Sequence, residues 1–260
     1  MRRPALCVTM PAVSKSLKLI LAGVLVVVLA GGAFLFWFFQ DDAPDEVDLG
    51  AAVDSVEESA DEPTTDSTDA PVASGVDGTW AVDLDSGTFD FSDTASGTFV
   101  GFRVNEELSG VGSATAVGRT PVVTGEITID GTELASAAFQ ADMTAITTNE
   151  SRRDSRVQSA LDTGQHPTAT FVLTEPVDLG EAASSGEAVT VTATGELTIK
   201  GVTQSVQIPL EAQLTGDTIV VVGSMEIVFS DYGVSVPAAP VVLAADDHGV
   251  LEVQLLLTRS

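Results

Sequence analysis

Between residues 189 and 257 apolar and polar side chains alternate so regularly that only a half-buried sheet accommodates them. Val189, Val191, Ala193, Gly195, Leu197 and Ile199 fill the odd positions of one run, while Thr190, Thr192, Thr194, Glu196 and Thr198 fill the even ones. Val206, Ile208, Leu210, Ala212 and Leu214 form a second stripe. Ile219, Val221, Met225, Ile227 and Phe229 form a third, and Leu251, Val253, Leu255 and Leu257 a last one. Successive side chains of a strand point to opposite faces, so each stripe predicts one buried face of an antiparallel sheet whose other face is wet. Gly-containing breaks at 130–132 and 215–217 read as hairpin turns. Residues 149–160 depart from the pattern: they are polar, carry Arg152, Arg153 and Arg156, and predict one short helix capped by Thr148 or Asn149. Asp162, Gly164 and Pro167 then lead into a strand at 168–174. Many strands and one short helix predict a mainly β fold, an antiparallel barrel over residues 78–260. Closure removes exposed sheet edges, which matters where the single cysteine, Cys7, can form no intramolecular disulfide.

Charge divides the chain sharply. Arg2, Arg3, Lys15 and Lys18 precede residue 40, and all 38 acids follow it, against seven bases, within a net charge of −27. Such a surface repels nucleic acid, so no nucleic-acid partner is expected, and solubility is the plainest account of the acidity. Residues 19–39 contain no charge, and 21 residues of helix span about 31 Å, the thickness of a bilayer core. The flanking lysines place residues 1–18 in the cytoplasm and everything after residue 40 outside, with Phe36, Trp37, Phe38 and Phe39 at the outer interface. A cleaved signal peptide is the competing reading. The length of the run and its bulky aromatic end favour an uncleaved single-pass anchor in the cell membrane. Residues 40–77 hold 13 acids and no base among Pro, Ser, Thr and Ala, which predicts a disordered linker with a reach of about 35 Å.

The search for chemistry finds little. His166 and His248 lie 82 residues apart, with no His or Cys at metal-ligand spacing. Asp246, Asp247 and His248 read as a solvated turn rather than a metal site. No nucleophile elbow and no phosphate-binding glycine loop is present, so neither enzyme activity nor a cofactor is expected. The three arginines of the short helix are the one concentration of positive charge beyond residue 40. They predict either contact with an anionic headgroup or ion pairs that fix the helix to the barrel.

Several ordered segments carry a resemblance. Residues 79–83 (TWAVD), 97–104 (GTFVGFRV) and 123–129 (VTGEITI) open the domain. Thr147-Thr148, Arg153-Asp154, His166-Pro167 and Thr170-Phe171 follow in order. Residues 195–203 (GELTIKGVT) and Asp231-Tyr232-Gly233-Val234 complete the set. Over nearly all of 79–258 the chain resembles the YceI-like family, envelope proteins with a lipocalin-like barrel that bind polyisoprenoid lipids. Family histidines near the first turn and the end of the second strand are replaced here by Asp85-Ser86 and Asn105-Glu106.

The resemblance implies an apolar cavity lined by Trp80, Val100, Phe102, Val104, Phe139, Met143, Phe171, Leu173, Met225, Ile227 and Phe229. Small residues such as Ala137, Ala141, Ala193 and Gly223 would leave volume between them. It also implies a lipid partner, a polyisoprenoid or a quinone, which a protein tethered through the apolar run 19–39 would hold or shuttle; much of the family is instead exported by a cleaved signal. A homodimer is left open as a further partner. The alternative is a non-catalytic interaction barrel with a filled core and an acidic partner-binding face.

Overall fold

The computed structural model describes residues 43–60, 75–93, 95–108, 112–236, 242–245 and 247–260. The expected membrane anchor at 19–39 lies outside them. Among the described residues no helix is long and apolar enough to cross a membrane.

The strands are β1 (Gly78–Val82), β2 (Phe99–Leu108), β3 (Gly112–Thr120), β4 (Val123–Asp130), β5 (Glu133–Asp142) and β6 (Thr147–Thr148). They continue with β7 (Thr168–Leu173), β8 (Val177–Asp178), β9 (Val189–Ile199), β10 (Val202–Thr215), β11 (Thr218–Val228), β12 (Val242–Ala245) and β13 (His248–Arg259). Eight of them close an antiparallel barrel in the order β1-β4-β5-β7-β9-β10-β11-β13, with β13 pairing back to β1 through Trp80↔Arg259 and Val82↔Leu257. β13 is long enough to serve two neighbours on one edge. Its C-terminal part pairs β1, and its N-terminal part pairs β2 (Leu251↔Phe102, Val253↔Val100), which continues the wall into β3.

Two-residue hairpins set the register. Thr215↔Thr218 encloses Gly216 and Asp217, and Ile199↔Val202 encloses Lys200 and Gly201, both left-handed at φ 51° and 74°. Positive φ at both central residues is the turn that matches strand twist. The stripes expected from alternation face inward, and the core forms on them: Val123, Ile127, Ile129, Leu134, Ala137, Leu255 and Leu257 at one end, Leu197, Ile227, Tyr232 and Val234 at the other.

Two α-helices appear where one was expected. α1 (Leu49–Ala60) lies inside the stretch expected to be a disordered linker. Its apolar residues Leu49, Ala52, Val53 and Val56 recur at helix spacing, and Asp48 Oδ1 accepts from Ala51 N at 2.9 Å to start it. Leu49, Ala52 and Val53 pack on Val220, Val222 and Leu256, on the outer face of β11 and β13. The reach of about 35 Å assumed free residues throughout 40–77; residues 43–60 are not free.

α2 (Ser151–Leu161) is the helix expected at 149–160. Its N-cap is Glu150, with no side-chain cap bond, rather than Thr148 or Asn149. The capping runs the other way: Asp154 in the first turn accepts from Thr148 N at 2.8 Å and Thr148 Oγ1 at 2.7 Å.

Candidate functional site

The barrel interior is not packed solid. A cavity of about 220 Å³ runs along it, with 41 lining residues. All but Thr170, Glu187, Gln213 and Tyr232 are apolar or glycine. A space of this kind differs from the filled core of the alternative reading. At one end the lining reaches Leu179, Ala183 and Glu187, just before, within and just after the 3₁₀ segment Glu181–Ser185. At the other it reaches Leu161 of α2 and Tyr232 in the 3₁₀ segment Phe229–Tyr232.

Eight of the eleven expected lining residues meet in this one cavity: Val100, Phe102, Phe139, Met143, Phe171, Leu173, Ile227 and Phe229. Phe102, Phe139, Phe171, Leu173 and Phe229 are only partly buried although they belong to inward stripes, as an unfilled interior requires. Two of the rings rest on glycines. A Cβ on Gly118 would fall 2.4 Å from the Phe102 ring, and one on Gly195 would fall 2.4 Å from the Phe171 ring. A larger residue at either place would push an aromatic ring off the wall.

Three expected residues are not part of the lining. Trp80 is buried in the core, but its indole N–H needs an acceptor and takes Val76 O at 2.7 Å, while Arg259 stacks 4.4 Å from its ring. These contacts hold it in the core cluster with Val123, Ile127 and Leu257. Val104 is buried where β2 has passed its last pair with β13, Arg103↔Val250, and runs on beside β12. Met225 is half-buried between the exposed Ser224 and Glu226.

The arginines of α2 lie on its surface and do not line the cavity. Arg152 is exposed and pairs with Glu150 at 3.2 Å. Arg153 donates to Glu106 at 2.8 Å and to Asn149 Oδ1 at 2.8 Å, tying the helix to β2. Arg156 is exposed. Ion pairing that fixes the helix is therefore the observed role of Arg153.

Tyr232 and the turn that carries it were not among the expected lining residues. The turn is held from several directions. Asp247 O accepts from Phe229 N at 2.9 Å, and its carboxylate accepts from Ser230 N at 3.1 Å and Ser230 Oγ at 2.5 Å. Gln204 donates to Asp231 O at 3.1 Å, and Lys200 Nζ to Gly233 O at 2.8 Å. Asp247, expected in a solvated turn, has this positioning role. Burial pushes the Tyr232 phenol above its ordinary value, and the charge of Asp231 adds to the rise. Among the described residues no group of three His, Cys, Asp or Glu is placed to hold a metal ion.

The sequence matches the YceI-like domain family over residues 91–255. No curated protein matches it. Among solved structures, a polyisoprenoid binding domain from Saccharophagus degradans is 18% identical, with 70% of this chain and 98% of that one covered at a TM-score of 0.50. Burkholderia cenocepacia BcnA is 19% identical, with 67% and 98% covered at a TM-score of 0.49. The Campylobacter jejuni YCEI protein is 18% identical, with 55% and 84% covered at 0.44. At these identities the likeness is one of fold. With the family match spanning more than half of its residues, the chain belongs to the YceI-like family.

Proposed function

We propose that this protein is an extracytoplasmic lipid-binding protein, tethered to the cell membrane through residues 19–39, that holds or shuttles a polyisoprenoid-type molecule in its barrel. One observation carries the reading: a continuous apolar cavity along the interior of a closed barrel. Packed interiors leave few voids larger than a water molecule, so a space of about 220 Å³ with almost no polar lining is a binding volume rather than a packing defect. The driving force is burial. At about 25 cal/mol per Å² of apolar surface, a long hydrocarbon gains ample free energy without a charged contact. The likeness to the Saccharophagus polyisoprenoid binding domain agrees with this chemistry. Nothing in the lining forms a catalytic constellation, and the reading is of a binding protein, not an enzyme.

The test is to extract the full-length protein within native membrane discs, record its mass intact, and identify what denaturation releases. An isoprenoid near one per chain is expected, and its loss by about tenfold on Phe171→Asp, where a carboxylate would be buried without a partner. A full-length protein that carries no lipid and takes up none when offered would sink the reading.

A further inference from the structure

The lining decides which polar terminus a lipid can bury. Of its four polar residues, Thr170 and Gln213 alternate with the inward residues Ala169, Phe171, Ala212 and Leu214, and Glu187 is exposed at the rim. Tyr232 differs from all three. It is 3% exposed, lines the cavity, and its hydroxyl has no hydrogen-bond partner among the described residues. A hydroxyl that has no protein partner, on a residue of an apolar cavity wall, is free to bond a ligand oxygen. Charge narrows the choice further. Among the described lining residues there is no Lys, Arg or His, and the one ionisable carboxylate, Glu187, has the sign of a phosphate. A phosphate drawn into such a space would lose its hydration with no cation to replace it.

We infer that the cavity selects lipids whose terminus is uncharged and bears an oxygen, a carbonyl or hydroxyl, and that Tyr232 hydrogen-bonds this oxygen at the α2 end of the barrel. The inference rests on the lipid-binding reading above. Tyr232 supplies a donor because burial keeps its phenol protonated. The hydrogen bonds that fix residues 229–233 hold the ring in place before a ligand arrives, so little ordering is needed on binding. The terminus is therefore enclosed at the α2 end. The opposite rim, with Glu187, is left for the hydrocarbon.

The experiment uses full-length protein stripped of lipid and three probes with C20 chains: geranylgeraniol, geranylgeranyl diphosphate and the headless hydrocarbon phytane. Affinities are read by displacement of a fluorescent farnesyl probe. Geranylgeraniol is expected to bind at least about tenfold more tightly than the diphosphate. Tyr232→Phe is expected to weaken geranylgeraniol by about 3- to 10-fold, with phytane binding and the melting temperature unchanged, since the lost hydroxyl has no protein partner. Equal or tighter binding of the diphosphate overturns the inference, as does a Tyr232→Phe variant that treats geranylgeraniol like the wild type. In both of those outcomes isoprenoids still bind and the lipid reading stands. If neither the fluorescent probe nor any of the three ligands binds, the lipid reading fails and this one with it.

Discussion

Glu252 is 1% exposed and sits between two guanidinium groups, Arg103 Nε at 2.7 Å and Arg119 Nη2 at 3.4 Å. It lies on the outward face of β13, where solvent would normally take care of a carboxylate. Here the chain itself covers it. Arg103 donates to Pro44 O, Arg119 donates to Asp45 O at 3.0 Å, and Val47 N reaches Glu252 at 3.4 Å. Arg119 also stacks on Phe99 with 4.3 Å to the ring centre. Burial pushes the Arg119 guanidinium below its ordinary value, and Glu252 opposes that shift. Removing one partner of such a network leaves buried charge uncompensated. Glu252→Gln is therefore expected to cost about 3–5 kcal/mol in urea unfolding, far more than an exposed pair such as Arg152–Glu150. A loss under about 1 kcal/mol would mean that water reaches the site.

At the scale of elements, α1 shows where sequence patterning stops being informative. The barrel strands were legible because alternation reports burial directly, and the eight lining residues came from those stripes together with the family resemblance. The helix was hidden by its charge. Asp54, Glu57 and Glu58 dominate the composition, while the apolar set Leu49, Ala52, Val53 and Val56 is narrow. The complementary signal lay elsewhere, in two runs that break the alternation: residues 219–222 and 255–257 are apolar on both faces. A strand buried on both sides needs a second cover, and α1 supplies it over Val220, Val222 and Leu256. Tyr232 was illegible for a different reason, since a 3₁₀ turn has no strand period to betray which way it faces. Because α1 packs outside the wall, its loss leaves the barrel closed. Val53→Asp is expected to undock it, removing a burial of about 1.5–3 kcal/mol and adding an unpaired carboxylate. Cleavage by a glutamate-specific protease at Glu57 and Glu58 should quicken, while lipid retention persists. Loss of lipid in this variant would mean that α1 braces the cavity through the wall.

For the whole molecule, the cavity couples occupancy to stability. All eight barrel strands meet in a single closed ring, and the lining draws on β4, β5, β7, β9, β10, β11 and β13, so a ligand in the cavity touches nearly every element that global unfolding must separate. An empty apolar space also forfeits dispersion contacts along its walls, since side chains there have no atoms on one side. A ligand that binds the folded chain and not the unfolded one adds about 2.7 kcal/mol at a hundred times its dissociation constant. For a domain of this size each kcal/mol moves the melting temperature by about 2–4 °C. Lipid-free full-length protein is thus expected to melt roughly 5–10 °C below protein saturated with geranylgeraniol. The shift should grow with the logarithm of free ligand and should nearly vanish in Phe171→Asp. Binding without any rise in melting temperature would place the lipid on the outer surface instead, because only a site shared by the barrel strands ties the lipid to the unfolding of the whole domain.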